Sequence, residues 1–188
     1  MDSVIFYVIA LVVAILVVVA AYVIVTYNRL VGAREFVRNA MGQIGAQVES
    51  RWDAITSLIA ATKRYSEHES SVIERVTRER GGINLLSSVS DVERDDVAFA
   101  GAMGRINALA EEYPELKASG VYQNAMNQIG QFENNVRASR MIFNDSVTKY
   151  NRIVLQFPSS LVARPFGFCE YAYFENADSK SQMPSWQS

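Results

Sequence analysis

His68 is the one histidine in the chain, and that count decides several chemistries at once. A di-iron site in a helical bundle draws on two Glu-x-x-His motifs. A zinc protease helix needs two histidines four apart, and Glu67-His68-Glu69 offers one. His68 is therefore expected on a solvated helix face rather than as a ligand. Cys169 is likewise the one cysteine; it cannot form an intramolecular disulfide, which agrees with a reducing compartment. No basic residue adjoins it to stabilise a thiolate, and aromatic residues crowd its segment, so inert packing is expected. Gly-rich phosphate loops and a nucleophile elbow are missing. With no catalytic constellation, no cofactor box and no metal-ligand set, the chain reads as non-enzymatic. Its formal net charge of −2 carries no signature of nucleic-acid binding.

One polar pattern does stand out. Glu133, Arg137, Arg140, Asn144 and Asn151 recur at spacings of three and four, which sets them on one stripe of a helix beside its apolar seam. Charges so placed must find partners, and Glu49, Asp53 and Glu67 are the expected ones. The stripe is either a buried network that fixes helix register or a ligand or partner site. The pairs Asp95-Asp96 and Glu111-Glu112 read as solvated surface.

These residues need long helices to position them. Val4 to Val25 is uninterrupted by charge; its roughly 22 residues reach about 33 Å as a helix, enough for a hydrocarbon core about 30 Å thick. Tyr7 and Tyr22 sit near its ends, where amphipathic rings prefer the interface. A signal peptide wants a basic leader and a shorter apolar run. Arg29, Arg34 and Arg38 follow the span while its N-terminal flank has no Lys or Arg. The positive-inside rule then puts the N-terminus outside and the C-terminal part in the cytoplasm, in a single pass.

Past the span, Val37, Met41, Ile44, Val48, Ile55, Leu58, Thr62, Tyr65, Val72 and Val76 continue a helical seam of heptad, coiled-coil type, with Arg51 and Glu69 filling its gaps. One helix is expected from the membrane to about Arg80, closed by Gly81-Gly82. A second helix, with Ser90 as its N-cap, runs to about Tyr113. Phe99, Ile106, Leu109 and Tyr113 mark its apolar face, and Val97, Gly101, Gly104 and Ala108 a neighbouring face of small residues. A third runs from near Ser119 to Gln156 on a seam of Tyr122, Ala125, Ile129, Phe132, Val136, Ser139, Phe143, Val147, Tyr150 and Val154. Ser159 or Ser160 caps a short fourth, ended by Pro165 and Gly167. The expected fold is all-α: a transmembrane anchor over 1–28, an antiparallel bundle of three long helices plus a short fourth over 29–174, and a polar tail over 175–188.

These residues also carry a resemblance. Tyr27-Asn28-Arg29-Leu30, Tyr113-Pro114-Glu115-Leu116-Lys117, Glu133-Asn134-Asn135-Val136 leading to Arg140, Phe143-Asn144-Asp145, Tyr150-Asn151, Phe157-Pro158-Ser159, Phe166-Gly167-Phe168 and Tyr173-Phe174 follow the order and spacing of the LemA family of bacterial membrane proteins. The chain departs from that pattern at Thr56-Ser57-Leu58, where relatives have a proline and Asn-Leu, and at Ser160, where they have Asn. The resemblance implies an N-terminal anchor, a cytoplasmic antiparallel helical bundle, an N-out topology and membrane organisation; it supplies no enzymatic activity.

Two further expectations concern assembly. If the second helix pairs downward from Gly81-Gly82, it ends near Ile55 to Leu58. Val37, Met41, Ile44 and Val48 would then lack cover within the chain, at roughly 1.5–3 kcal/mol for each large side chain. With Gly42 and Gly45 beside them for close approach, they are expected to form the seam of a homo-oligomer. The aromatic cluster Phe157, Phe166, Phe168, Tyr171, Tyr173 and Phe174 is expected to cap the far end of the bundle, with a docking patch as the alternative. The functional expectation is a self-assembling membrane scaffold in contact with the lipid bilayer; the alternative is an adaptor or regulatory partner of another membrane protein.

Overall fold

The computed structural model describes residues 2–62 and 82–175. Among the described residues five helices follow in order: α1 Asp2–Thr62, α2 Val89–Glu112, α3 Pro114–Ala118, α4 Gly120–Leu155 and α5 Ser160–Ala163. No strand occurs among the described residues, so the fold is all-α. The rest of the expected first helix, with Tyr65, Glu67, His68, Glu69, Val72, Val76 and Gly81, lies outside the described residues, as does the tail from 176. α1 runs unbroken through Thr56–Leu58, where Thr56 returns its hydroxyl hydrogen to the Trp52 carbonyl at 2.9 Å.

The chain divides into two compact units, Met1–Val37 with Asp145–Tyr171, and Arg38–Asn144 with Ala172–Ser188. In the first, Val4–Val25 is exposed on every side apart from half-buried Val23, and Thr26 and Leu30 are the first buried positions of α1. By length and composition this helix can cross a membrane. From α4 the unit buries Val147, Tyr150 and Val154, three members of the expected seam. Past α5 the chain reverses through Gly167 (φ +72°), whose N–H reaches Arg164 O at 3.1 Å while Phe168 N–H reaches Ala163 O at 3.1 Å. That pair of bonds is a Schellman closure, and its left-handed residue favours glycine.

The second unit corrects the expected pairing. Ile83 and Leu85 lie against Gly45 and Gly42, while Asp95 and Phe99 further on meet Arg51 and Trp52. Residue numbers rise together, so α2 runs parallel to α1 instead of folding back along it. α4 runs against both: Glu133 meets Arg51, Asn135 meets Gln47, Arg140 meets Asp96 and Tyr122 meets Asn107. α4 has 36 residues, about 54 Å of helix, and it passes back beyond the level of Gln47. Val37, Met41, Ile44 and Val48 are accordingly buried within the single chain, and the premise of an uncovered stalk fails. Gly42 and Gly45 admit the chain's own 83–85 turn.

α2 begins two residues earlier than expected. Ser88 is its N-cap, and its Oγ accepts from Asp91 N–H at 3.2 Å while Asp91 Oδ2 accepts from Ser88 N–H at 2.7 Å. This reciprocal capping box outcompetes a cap at Ser90.

Candidate functional site

The most elaborate constellation in the second unit centres on Arg51, a residue 1% exposed at a seam position of α1. Its Nη1 donates to Glu133 Oε1 at 2.7 Å, and its Nη2 donates to Asp95 Oδ2 and to Asp96 Oδ1, each at 2.8 Å. The guanidinium carbon lies 4.3 Å from the centroid of the Phe99 ring, which itself packs edge-on against Trp52. Trp52 Nε1 donates to Asp95 Oδ1 at 3.0 Å, so the buried Asp95 carboxylate is held from two adjacent residues of α1. One planar head group thus ties α1 to α2 and α4. Burial alone would lower the Arg51 pKa; the hydrogen bonds to Asp95, Asp96 and Glu133 outweigh it and hold the pKa above its ordinary value.

Asp96 carries the network onward. It accepts from Arg140, whose guanidinium lies over the Phe174 ring at 5.0 Å. Phe174 in turn packs edge-on against Phe143 and is clasped through its backbone by Asn144. Asn144 Nδ2 donates to Phe174 O and Phe174 N–H donates to Asn144 Oδ1, both at 2.9 Å. The first unit repeats the device: Asn151 exchanges the same two bonds with Tyr171, both at 2.9 Å, and Tyr150 packs on Tyr171. An asparagine that presents its amide to a backbone amide in this way supplies the ladder bonds an extended strand would otherwise seek from a sheet.

Four members of the predicted polar stripe therefore have partners: Glu133 and Arg140 in the arginine network, Asn144 and Asn151 in the backbone clasps. Arg137 is exposed. The partners include Arg51, Asp96 and two backbone amides, which the sequence reading left out; Glu67 lies outside the described residues. Asp95 and Asp96, expected as solvated surface, join the network because Arg51 enters the seam and a buried cation demands carboxylates around it. A charged residue at a seam position was the signal available in the sequence.

The expected aromatic cap also resolves differently. Phe166 and Phe168 pack edge-on against Tyr27 of α1, with centroids 5.1 and 5.7 Å away, and Arg34 lies over Phe168 at 5.0 Å. Tyr171 and Phe174 serve the two clasps, while Phe157 and Tyr173 remain exposed. Within the first unit, Phe166 and Phe168 thus pack on α1 and Tyr171 on α4. Cys169, expected in inert packing, is exposed. Among the described residues no group of His, Cys, Asp and Glu is arranged to hold a metal ion. Paired with guanidinium groups, the network's carboxylates tie α1, α2 and α4 together.

Comparison with known proteins finds relatives of this chain. The magnetosome protein MamQ of Magnetospirillum gryphiswaldense is 29% identical over 108 residues, covering 55% of this chain and 39% of that protein. A MamQ of Paramagnetospirillum magneticum is 25% identical over 108 residues, 56% of this chain and 40% of its own length. Protein LemA of Metamycoplasma hominis is 23% identical over 153 residues, 80% of this chain and 69% of that protein. The chain thus spans about two fifths of the magnetosome relatives it matches. The LemA family model matches residues 40–187, which takes in Arg51, its three carboxylates and both asparagine clasps; the chain belongs to the LemA family.

Proposed function

We propose that this chain is a membrane-anchored, non-enzymatic helical scaffold. In this reading residues 1–28 cross the bacterial cytoplasmic membrane once with the N-terminus outside, and residues 29–174 form the cytoplasmic body, followed by a tail over 175–188. Copies associate to organise or shape the membrane. The observation that supports it is the change of surface along one unbroken helix: α1 is apolar and, apart from half-buried Val23, exposed over Val4–Val25, then buries one face from Thr26 and Leu30 onward. Left in water, each large side chain of that stretch would cost roughly 1.5–3 kcal/mol. Lipid removes the cost.

Since Met41, Ile44 and Val48 are covered within the chain, association is assigned to the span. There Ala10 and Ala14, one turn apart, let two backbones approach. Electron microscopy of membranes carrying only this protein, with the size of the complex extracted from them, tests the reading. Ordered arrays or remodelled membranes and a large homo-oligomer are expected; a monomer in unchanged membranes would refute it.

A second reading, an adaptor for another membrane protein, draws support from the exposed α2 face of Val97, Gly101, Gly104 and Ala108. Its small residues suit a partner helix. A monomer or dimer that copurifies with one other membrane protein, and loses it on Gly101→Leu substitution, would favour this alternative.

A further inference from the structure

We infer that the turn between α4 and the returning extended segment is a second membrane contact, an apolar wedge seated in the headgroup layer of the bilayer that α1 crosses. The inference rests on the reading of Val4–Val25 as a span. Three observations within the first unit carry it.

The turn presents apolar side chains outward: Phe157 is 80% exposed, Leu161 66% and Phe166 54%. Leu161 belongs to α5, whose other side buries Val162 and Ala163, and Phe157 and Phe166 flank it, so the turn carries apolar side chains outward as well as inward. The turn is also placed where a membrane surface would lie. Phe168 touches both Arg34 and Tyr27, whereas Phe166, two residues nearer the turn, packs on Tyr27. The chain therefore approaches the span as it enters the turn, and Tyr27 stands two residues past Val25. The charges match as well. Ser146 to Cys169 contains Lys149, Arg152 and Arg164 and no acidic residue, and Arg29 on α1 adds another exposed cation. Cations beside exposed aromatic and aliphatic side chains suit anionic headgroups above acyl chains.

The test uses the full chain in vesicles of phosphatidylcholine and phosphatidylglycerol, with Cys169→Ser as background. A fluorophore is attached at one of three introduced cysteines: Leu161→Cys in the turn, Val12→Cys in the middle of the span, or Val97→Cys on α2. All three positions are exposed, so the label displaces no core contact. Lipids brominated near the headgroup are expected to quench Leu161 several-fold more than Val97, and deeply brominated lipids to quench Val12. Quenching at Val12 with Leu161 as dark to lipid as Val97 would overturn the wedge and leave the span standing. An unquenched Val12 would overturn the span, and the wedge with it. Phe157→Cys repeats the measurement at a second exposed site of the turn.

Discussion

Arg51 Nη2 and Asp95 Oδ2 meet at 2.8 Å with both side chains closed to solvent. Such a pair stabilises little relative to apolar residues of the same shape, because both ions give up their hydration; breaking it from one side is what costs. Arg51→Met should leave the buried Asp95 carboxylate without its cation and destabilise the helical body by about 3–5 kcal/mol. Arg51→Lys should rescue little of this, since an ammonium cannot reproduce the fork that reaches Glu133 and both aspartates. In Arg51→Met/Asp95→Asn the orphaned charge is gone and Trp52 keeps an acceptor, so the double variant should be more stable than Arg51→Met alone by about 1 kcal/mol or more. Denaturant unfolding followed by circular dichroism gives the comparison. A double variant no better than the single one would show that the charge is not the source of the loss.

Gly42 and Gly45 look equivalent in sequence and differ in what they face. A Cβ at Gly45 would stand 2.6 Å from the Ile83 carbonyl oxygen, a backbone atom, whereas at Gly42 it would meet Leu85 Cδ2 at 2.5 Å, the tip of an exposed and flexible side chain. Alanine gains about 1 kcal/mol of helix propensity at either site. Gly42→Ala should therefore be neutral or slightly stabilising, while Gly45→Ala should destabilise by about 1–3 kcal/mol as the 83–85 turn is pushed away. Equal melting temperatures for the two would contradict the close approach.

The two asparagine clasps should act locally. Asn144→Ala strips the Phe174 N–H and C=O of both partners, and Asn151→Ala does the same to Tyr171. These bonds are part-buried, and a fully buried group left unsatisfied costs about 1–3 kcal/mol, so each loss should release the extended segment without unfolding α4. Hydrogen exchange should accelerate at the Phe174 amide in Asn144→Ala and at the Tyr171 amide in Asn151→Ala. Unchanged protection at the matching amide would rule out the clasp.

How much of this was legible in the sequence follows from which interactions have a period. The apolar span, the α4 seam and the stripe of Glu133, Arg140, Asn144 and Asn151 are side-chain patterns, and they emerged as such. The direction of α2 did not, because a heptad seam reads the same whether two helices run together or opposed; only Ile83 against Gly45 and Asp95 against Arg51 decide it. Asn144 and Asn151 bind backbone amides, for which no residue type in the partner strand gives a cue. The neighbours of Phe166 and Phe168 depend on helix direction as well: the antiparallel course of α4 brings its end beside Tyr27, and no residue pattern encodes that course.

Acid should loosen α2 at its first turn. The Ser88 backbone N–H, the Ser88 hydroxyl and then Arg94 hydrogen-bond the Asp91 carboxylate and hold its pKa below the usual aspartate value. A group whose folded pKa is depressed contributes its stability in full above the unfolded pKa, near 3.9. That contribution is lost as the pH falls through the folded value. The capping box should therefore be intact at neutral pH and fail only in acid below about pH 4. Arg51, whose pKa is raised, stays protonated throughout and adds no pH dependence. Carboxyl NMR of the full chain in detergent micelles should show Asp91 titrating below the usual aspartate value. Ser88→Ala should move that titration upward, since the hydroxyl bond is lost while the backbone N–H and Arg94 remain, and should speed exchange of the Asp91 amide at neutral pH. An unchanged Asp91 titration in Ser88→Ala would assign the depression to Arg94 and the backbone alone.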